Sequence, residues 1–243
     1  MSSTLNKDQT KAITRSDPLS PLPAHFYIKQ SVLLLISGLL FLWLSRSESW
    51  DMAISQMWYD PLTHRFPWKD NYWMDLINHR LLKDLIIAGG VVLLFAGIAR
   101  RQGRWILVAL LMGFGPLVIG ILKATSAHSC PWDLVEFGGH AVTYPLLGAI
   151  PENSGPGRCF PGGHASSGFG AMALFFLFYP RRPRLAWFCW WLAFVVGMVM
   201  GFGQIMRGAH FLSHNFWAAW WVWLTQCAIF GCVTHLLEKK KRK

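Results

Sequence analysis

The sequence predicts an all-α polytopic membrane protein, a bundle of six transmembrane helices with an exterior amphipathic helical segment. Three observations carry that prediction. Of 243 residues, 53% are hydrophobic and only 14% charged, where a soluble domain carries about 25% charged residues, and mean hydropathy is +0.32. Uncharged apolar stretches recur at roughly 30–45, 85–99, 105–122, 165–180, 185–206 and 215–234. The basic residues fall in short runs between those stretches, so the net charge of +11 reads as membrane topology rather than nucleic-acid binding. Five cysteines with no Cys-x-x-Cys pair exclude a disulfide scaffold and give no zinc signature.

Taken in order, residues 1–27 form a polar tail without an apolar h-region, so a disordered cytoplasmic leader and no cleavable signal peptide are expected. The first span then acts as an uncleaved anchor. The exterior segment of about 46–84 is rich in Trp50, Trp58, Tyr59, Trp68, Tyr72 and Trp73, rings suited to the headgroup level. The second and fourth spans are short for the ~20 residues a ~30 Å core requires, and polar flanks supply the missing turns. Pro116 predicts a kink in the third span. No stretch alternates as a barrel strand does. Orientation follows from the clusters Lys7, Lys11, Arg15 and Lys29; Arg100, Arg101 and Arg104; Arg181, Arg182 and Arg184; and the tail 238–243. All lie on one side only with six spans and both termini cytoplasmic. The membrane domain is expected over 28–237, with exterior segments at about 46–84, 123–164 and 207–214.

Unusual polar residues collect at the exterior end of this bundle. Lys123 closes the third span, Arg158 and His164 precede the fourth, and Arg207, His210 and His214 lie between the last two. A lone Lys at a helix end snorkels, and a lone interfacial His is commonly structural. Three separate segments placing such groups at one depth argue for a site. Within Phe160-Pro161-Gly162-Gly163-His164, two glycines precede a helix start, where free N–H groups and the helix dipole favour a phosphate-like anion.

These residues carry a resemblance. The spacing is similar to that of the type 2 phosphatidic acid phosphatase superfamily, whose motifs are Lys-x6-Arg-Pro, Pro-Ser-Gly-His and Ser-Arg-x5-His-x3-Asp. Here Lys123 is followed after six residues by Cys130-Pro131, then come Pro161-Gly162-Gly163-His164, and Gly203-Gln204 leads after five residues to His210 and after three more to His214. Cys130 stands in place of Arg, Gly162 of Ser, Gly203-Gln204 of Ser-Arg, and His214 of Asp. The chain therefore reads as a divergent active subgroup or as one that has lost phosphatase chemistry.

The resemblance implies a hydrolase of lipid phosphates or pyrophosphates at the outer face of the membrane, without cofactor or metal. It implies His210 as nucleophile forming a phosphohistidine, His164 as general acid, and His214 oriented against the His210 ring one helical turn away. Lys123, Gly162 and Gly163 would hold the phosphoryl oxygens, with Arg158 and Arg207 replacing the missing arginines; Arg207 would share a helical face with His210. Asp133 is either a counter-charge for the histidines or a cap, and His128 and His140 receive no role. The expected partners are a lipid phosphate and membrane lipids, not nucleic acid. The expected location is a bacterial inner membrane with the site facing the periplasm. Cys130 and Cys159 are the two cysteines placed outside, in an oxidising compartment, and a disulfide between them is expected; two free thiols packed as small apolar groups are the alternative. Other readings are a lipid phosphotransferase using the same intermediate, a non-catalytic or haem- or metal-binding membrane protein, and a transporter. Bis-His haem needs ligands facing one another within the membrane, and a transporter needs broken helices near the midplane.

Overall fold

A computed structural model of the protein describes residues 19–243; the expected leader through residue 18 lies outside the described residues. Helix α1 spans Ala24–Leu44. Leu22 and Phe26 are buried in the main core, so the packed domain begins before residue 28. A two-turn helix α2 follows at Ser49–Gln56. The rest of the expected exterior segment ends early, because a π-helical stretch, Met74–Leu81, runs directly into α3, Leu82–Ala99. Helix α4 spans Gly103–Ala124. A long loop then leads to α5 (Gly163–Gly170), which continues through a 3-10 turn (Ala171–Leu174) into α6 (Phe175–Phe178). The chain closes with α7, Pro183–Met206, and α8, Leu212–Lys241. The basic tail is therefore not separate: Lys239, Lys240 and Lys241 form the last turn of α8, where cations oppose the negative end of the helix dipole.

Five of these helical stretches are long and apolar enough to cross a membrane, and Gly163–Phe178 is shorter. The chain is a polytopic membrane protein, and the count of six holds only with that short rod included. Its shortness has a packing reason. Phe169, Met172, Phe175 and Phe176 on the rod are fully buried, and it packs against α4, α7 and α8. Enclosed by protein, its ends need not match the lipid thickness that constrains an outer helix.

Small residues bring the helices close. A Cβ on Gly168 would lie 2.5 Å from the Cα of Gly197, and one on Gly170 2.5 Å from the carbonyl oxygen of Met112. Met112 is the residue whose carbonyl loses its helical partner to Pro116, so the central rod covers the backbone group that the proline frees. At the other end, Arg104 is buried, and its Nη1 donates to the carbonyls of Phe176 (3.0 Å) and Tyr179 (3.1 Å). It caps the end of α6, where carbonyls lack helical partners, rather than serving as a loop charge like Arg100 and Arg101.

Candidate active site

Lys123, His164 and His210 come from three elements that end at one face of the bundle: the C-terminus of α4, the N-terminus of α5, and the α7–α8 turn. The turn is built by its capping residues. Gly208 adopts φ +71°, its N–H donates to the Ile205 carbonyl (2.9 Å), and the Ala209 N–H donates to the Gln204 carbonyl (2.8 Å). This is a Schellman cap, which requires the left-handed residue that glycine supplies, and a side chain on Gly208 would enter the Phe66 ring. The reversal places His210 ahead of α8 instead of on it. The expectation that Arg207 shares a helical face with His210 is thereby corrected. Arg207 turns toward the segment between α2 and α3, its Nε donating to the Lys69 carbonyl (3.0 Å) and its Nη1 pairing with Asp75 (3.3 Å).

The loop after α4 stitches the segments together. The Arg158 N–H donates to the Ser126 carbonyl (2.7 Å) and the Cys159 N–H to that of His128 (2.9 Å). Cys130 and Cys159 are joined by a disulfide, with Cα atoms 5.2 Å apart. The Trp132 N–H reaches the Gly208 carbonyl (3.0 Å), and the Gly162 N–H reaches that of His214 (2.9 Å). Every motif segment is thus bonded to both others.

His210 sits at the centre, 1% exposed. Its ring centroid lies 6.1 Å from that of His164 and 5.7 Å from that of His214, and its Nδ1 is 3.4 Å from Cys159 Sγ. The His214 ring meets it edge-on without hydrogen-bonding it, and His214 Nδ1 is buried with no hydrogen-bond partner. Burial pushes the His210 pKa well below 6.5, and positive charge on His214, Lys123 or His164 would push it the same way. Lys123 is half-buried, with Nζ 3.5 Å from the point where a Cβ on Gly163 would stand; glycine there lets the ammonium lie against the start of α5. The Gly162 N–H is already engaged by His214, which leaves the N–H groups of Gly163 and His164, in the first turn, for an anion.

Two further expected residues are placed by the loop. Arg158 is exposed on the loop, and its backbone, not its guanidinium, makes the bond to Ser126. Asp133 accepts the Cys130 N–H (3.3 Å) and closes a 3-10 turn, so it is the cap and not the counter-charge of the histidines. The sulfurs of Cys130 and Cys159 lie within 4.8 Å of a His210 nitrogen. Bonded to each other, they offer no thiolate to a metal.

The site also has an acidic side that no sequence motif announces. Asp51 and Ser55 are the buried residues of α2, an inversion of the usual amphipathic pattern. Asp51 Oδ1 accepts the Ser213 N–H (3.0 Å) at the start of α8, and burial raises its pKa to about 6. Glu48, hydrogen-bonded by the Thr143 hydroxyl, is also raised by burial. His128 stacks on Tyr144 at 4.2 Å and is lowered by burial. Ser45, Glu48, Asp51, His128, Ser213 and His214 all line one small cavity of ≈ 20 Å³. A buried carboxylate on a two-turn helix between spans leaves no motif, and the Trp50-Asp51-Met52 context is the one available hint.

The family model of the PAP2 superfamily matches residues 104–237, more than half of the chain. Among solved structures, the chain is similar to the first transmembrane PAP2 type phosphatidylglycerolphosphate phosphatase from Bacillus subtilis, at 18% identity. The match covers 86% of this chain and 96% of that one, with a TM-score of 0.49. Among curated proteins, none matches.

Proposed function

The chain belongs to the PAP2 superfamily, and we propose that it is a membrane lipid phosphatase working through a phosphohistidine on His210. The observation that carries this reading is the convergence of the His210 and His164 rings, 6.1 Å apart, with the Lys123 ammonium against Gly163. A phosphoryl group between the rings meets a nucleophile on one side, an acid on the other, and donors around its oxygens.

Each residue has a defined part in the reaction. Cys159 lies against Nδ1 of His210, so a proton held on that nitrogen leaves the Nε2 lone pair free to attack phosphorus. The low pKa of His210 keeps the ring neutral and nucleophilic. As the bond between phosphorus and the lipid oxygen breaks, His164 gives that oxygen its proton. His164, now neutral, then takes a proton from water, whose oxygen attacks phosphorus and breaks the P–N bond to release phosphate. Lys123 and the first N–H groups of α5 hold the charge on the equatorial oxygens.

The reading places the site at the outer face. The clusters at Arg100–Arg101 and Arg181–Arg184 lie at the opposite end of the bundle from the histidines, and such clusters stay cytoplasmic. Candidate substrates are phosphatidic acid, phosphatidylglycerol phosphate, an isoprenyl pyrophosphate and a phosphorylated glycolipid. The test is phosphate release from that panel, with acid-labile phosphoenzyme trapped by quench. We expect release and trapping with the natural chain and neither with His210→Ala; a His210→Ala variant that turns over at the natural rate refutes the assignment.

A further inference from the structure

The N-terminal turn of α8, which carries His214, is held from outside the bundle. Phe211 stands at the N-cap and offers no side-chain cap; Asp51, from α2, accepts the Ser213 N–H instead (3.0 Å). Asp51 is 6% exposed and is a charge-bearing group on a helix that could have presented an apolar residue there. An Asn would cap a helix about as well, so capping alone does not explain a buried carboxylate.

The cavity beside it supplies the second observation. It measures ≈ 20 Å³ and is lined partly by Glu48, Asp51, His128 and His214 and partly by apolar side chains such as Phe160 and Phe211. That is room for one water, and the polar groups offer it partners. His214, 5% exposed, lines the cavity and keeps a buried ring nitrogen without a partner. The His214 ring also packs edge-on against His210. A buried carboxylate, a water-sized cavity, an under-bonded imidazole and the nucleophile therefore lie in sequence.

We propose that Asp51 is a positioning residue for the nucleophile, acting through the first turn of α8 and one bound water on His214, and through His214 on the His210 ring. The inference rests on the phosphatase reading for its kinetic consequence, but not for its structural one. The groups that face this path are Glu48 and Asp51 from the segment after α1, His128, Glu136 and Tyr144 from the loop after α4, Lys123 from α4, His164 from α5, and His210 and His214 themselves. Glu48 is committed to Thr143, which leaves Asp51 as the carboxylate bonded to the α8 turn.

The experiment compares the natural chain with Asp51→Asn and Asp51→Ala in full-length protein in nanodiscs. Asn keeps an acceptor for the Ser213 N–H and removes only the charge. We expect Asp51→Asn to lower kcat on the order of 10- to 100-fold at little cost in KM, and to move the acidic limb of the pH–rate profile. With His214→Gln added, the double variant should be less than about 3-fold slower than His214→Gln alone, because both act along one path. In parallel, imidazole titrations of histidine-labelled protein by NMR should show His210 and His214 responding to Asp51→Asn, a readout independent of turnover. Asp51→Asn at full rate with unmoved titrations, or with Asp51→Ala impaired only through unfolding, reduces Asp51 to a cap and overturns the proposal. If no lipid phosphate is hydrolysed by the natural chain, the phosphatase reading fails, and the titrations still decide the positioning role.

Discussion

Replacing both Cys130 and Cys159 with Ser severs the covalent link between the loop after α4 and the approach to α5. The bond joins residues 29 apart, and the chain-entropy treatment assigns such a loop about 3.5 kcal/mol, or about 400-fold in the folded-to-unfolded ratio. That figure is a ceiling, because α4 and α5, once inserted, already hold Lys123 and Gly163 at one face. The functional effect should exceed the stability effect. Cys159 is fully buried, with Sγ 3.4 Å from His210 Nδ1, so the change acts on the nucleophile directly. We expect denaturation midpoints in detergent to fall for the double Ser variant and for reduced natural protein alike. Phosphate release should fall by at least about tenfold while the helical spectrum is retained. The refuting result is specific: both cysteines alkylated in unreduced, denatured protein, or a double Ser variant with natural midpoint and natural turnover.

Three further outcomes are expected. The depressed pKa of His210 puts the acidic limb of the pH–rate profile below 6.5, and a limb above 7 would show that the nucleophile is not this buried ring. Asp51 binds its proton more tightly folded, with a pKa of about 6 against 3.8; its contribution to stability is complete below 3.8 and is lost as pH rises through about 6. At about 1.4 kcal/mol per pH unit this amounts to about 3 kcal/mol, so Asp51→Asn should flatten the stability difference between pH 4 and 7.5 in denaturant titrations, and an unchanged difference refutes it. A Cβ on Gly115 would stand 2.7 Å from Val222 Cγ1, so Gly115→Ala should cost about 1–3 kcal/mol by overpacking. Val222→Ala in the same chain should restore part of it, and strict additivity of the two would show that the helices do not touch there.

The positions of the apolar spans were legible in the sequence alone. Lipid offers no hydrogen bonds, so a segment that crosses it must be apolar and helical over a length set by the bilayer, and runs such as 105–122 declare themselves. Motif spacing likewise marked Lys123, His164 and His210, because each sits at a helix end that the span pattern already locates. What pattern could not reach was the direction of the chain between helices. Arg207 and His210 read as one helical face until Gly208 turns the backbone left-handed and sends Arg207 to Asp75. Arg104 read as a loop charge until packing buried it over the end of α6. Asp51 carried no motif at all, and its proximity to α8 spans 162 residues of sequence. Hydropathy and spacing are local quantities, additive along the chain. Which buried polar group meets which is decided only when the helices close and each donor must find an acceptor, and that pairing is a property of the tertiary structure alone.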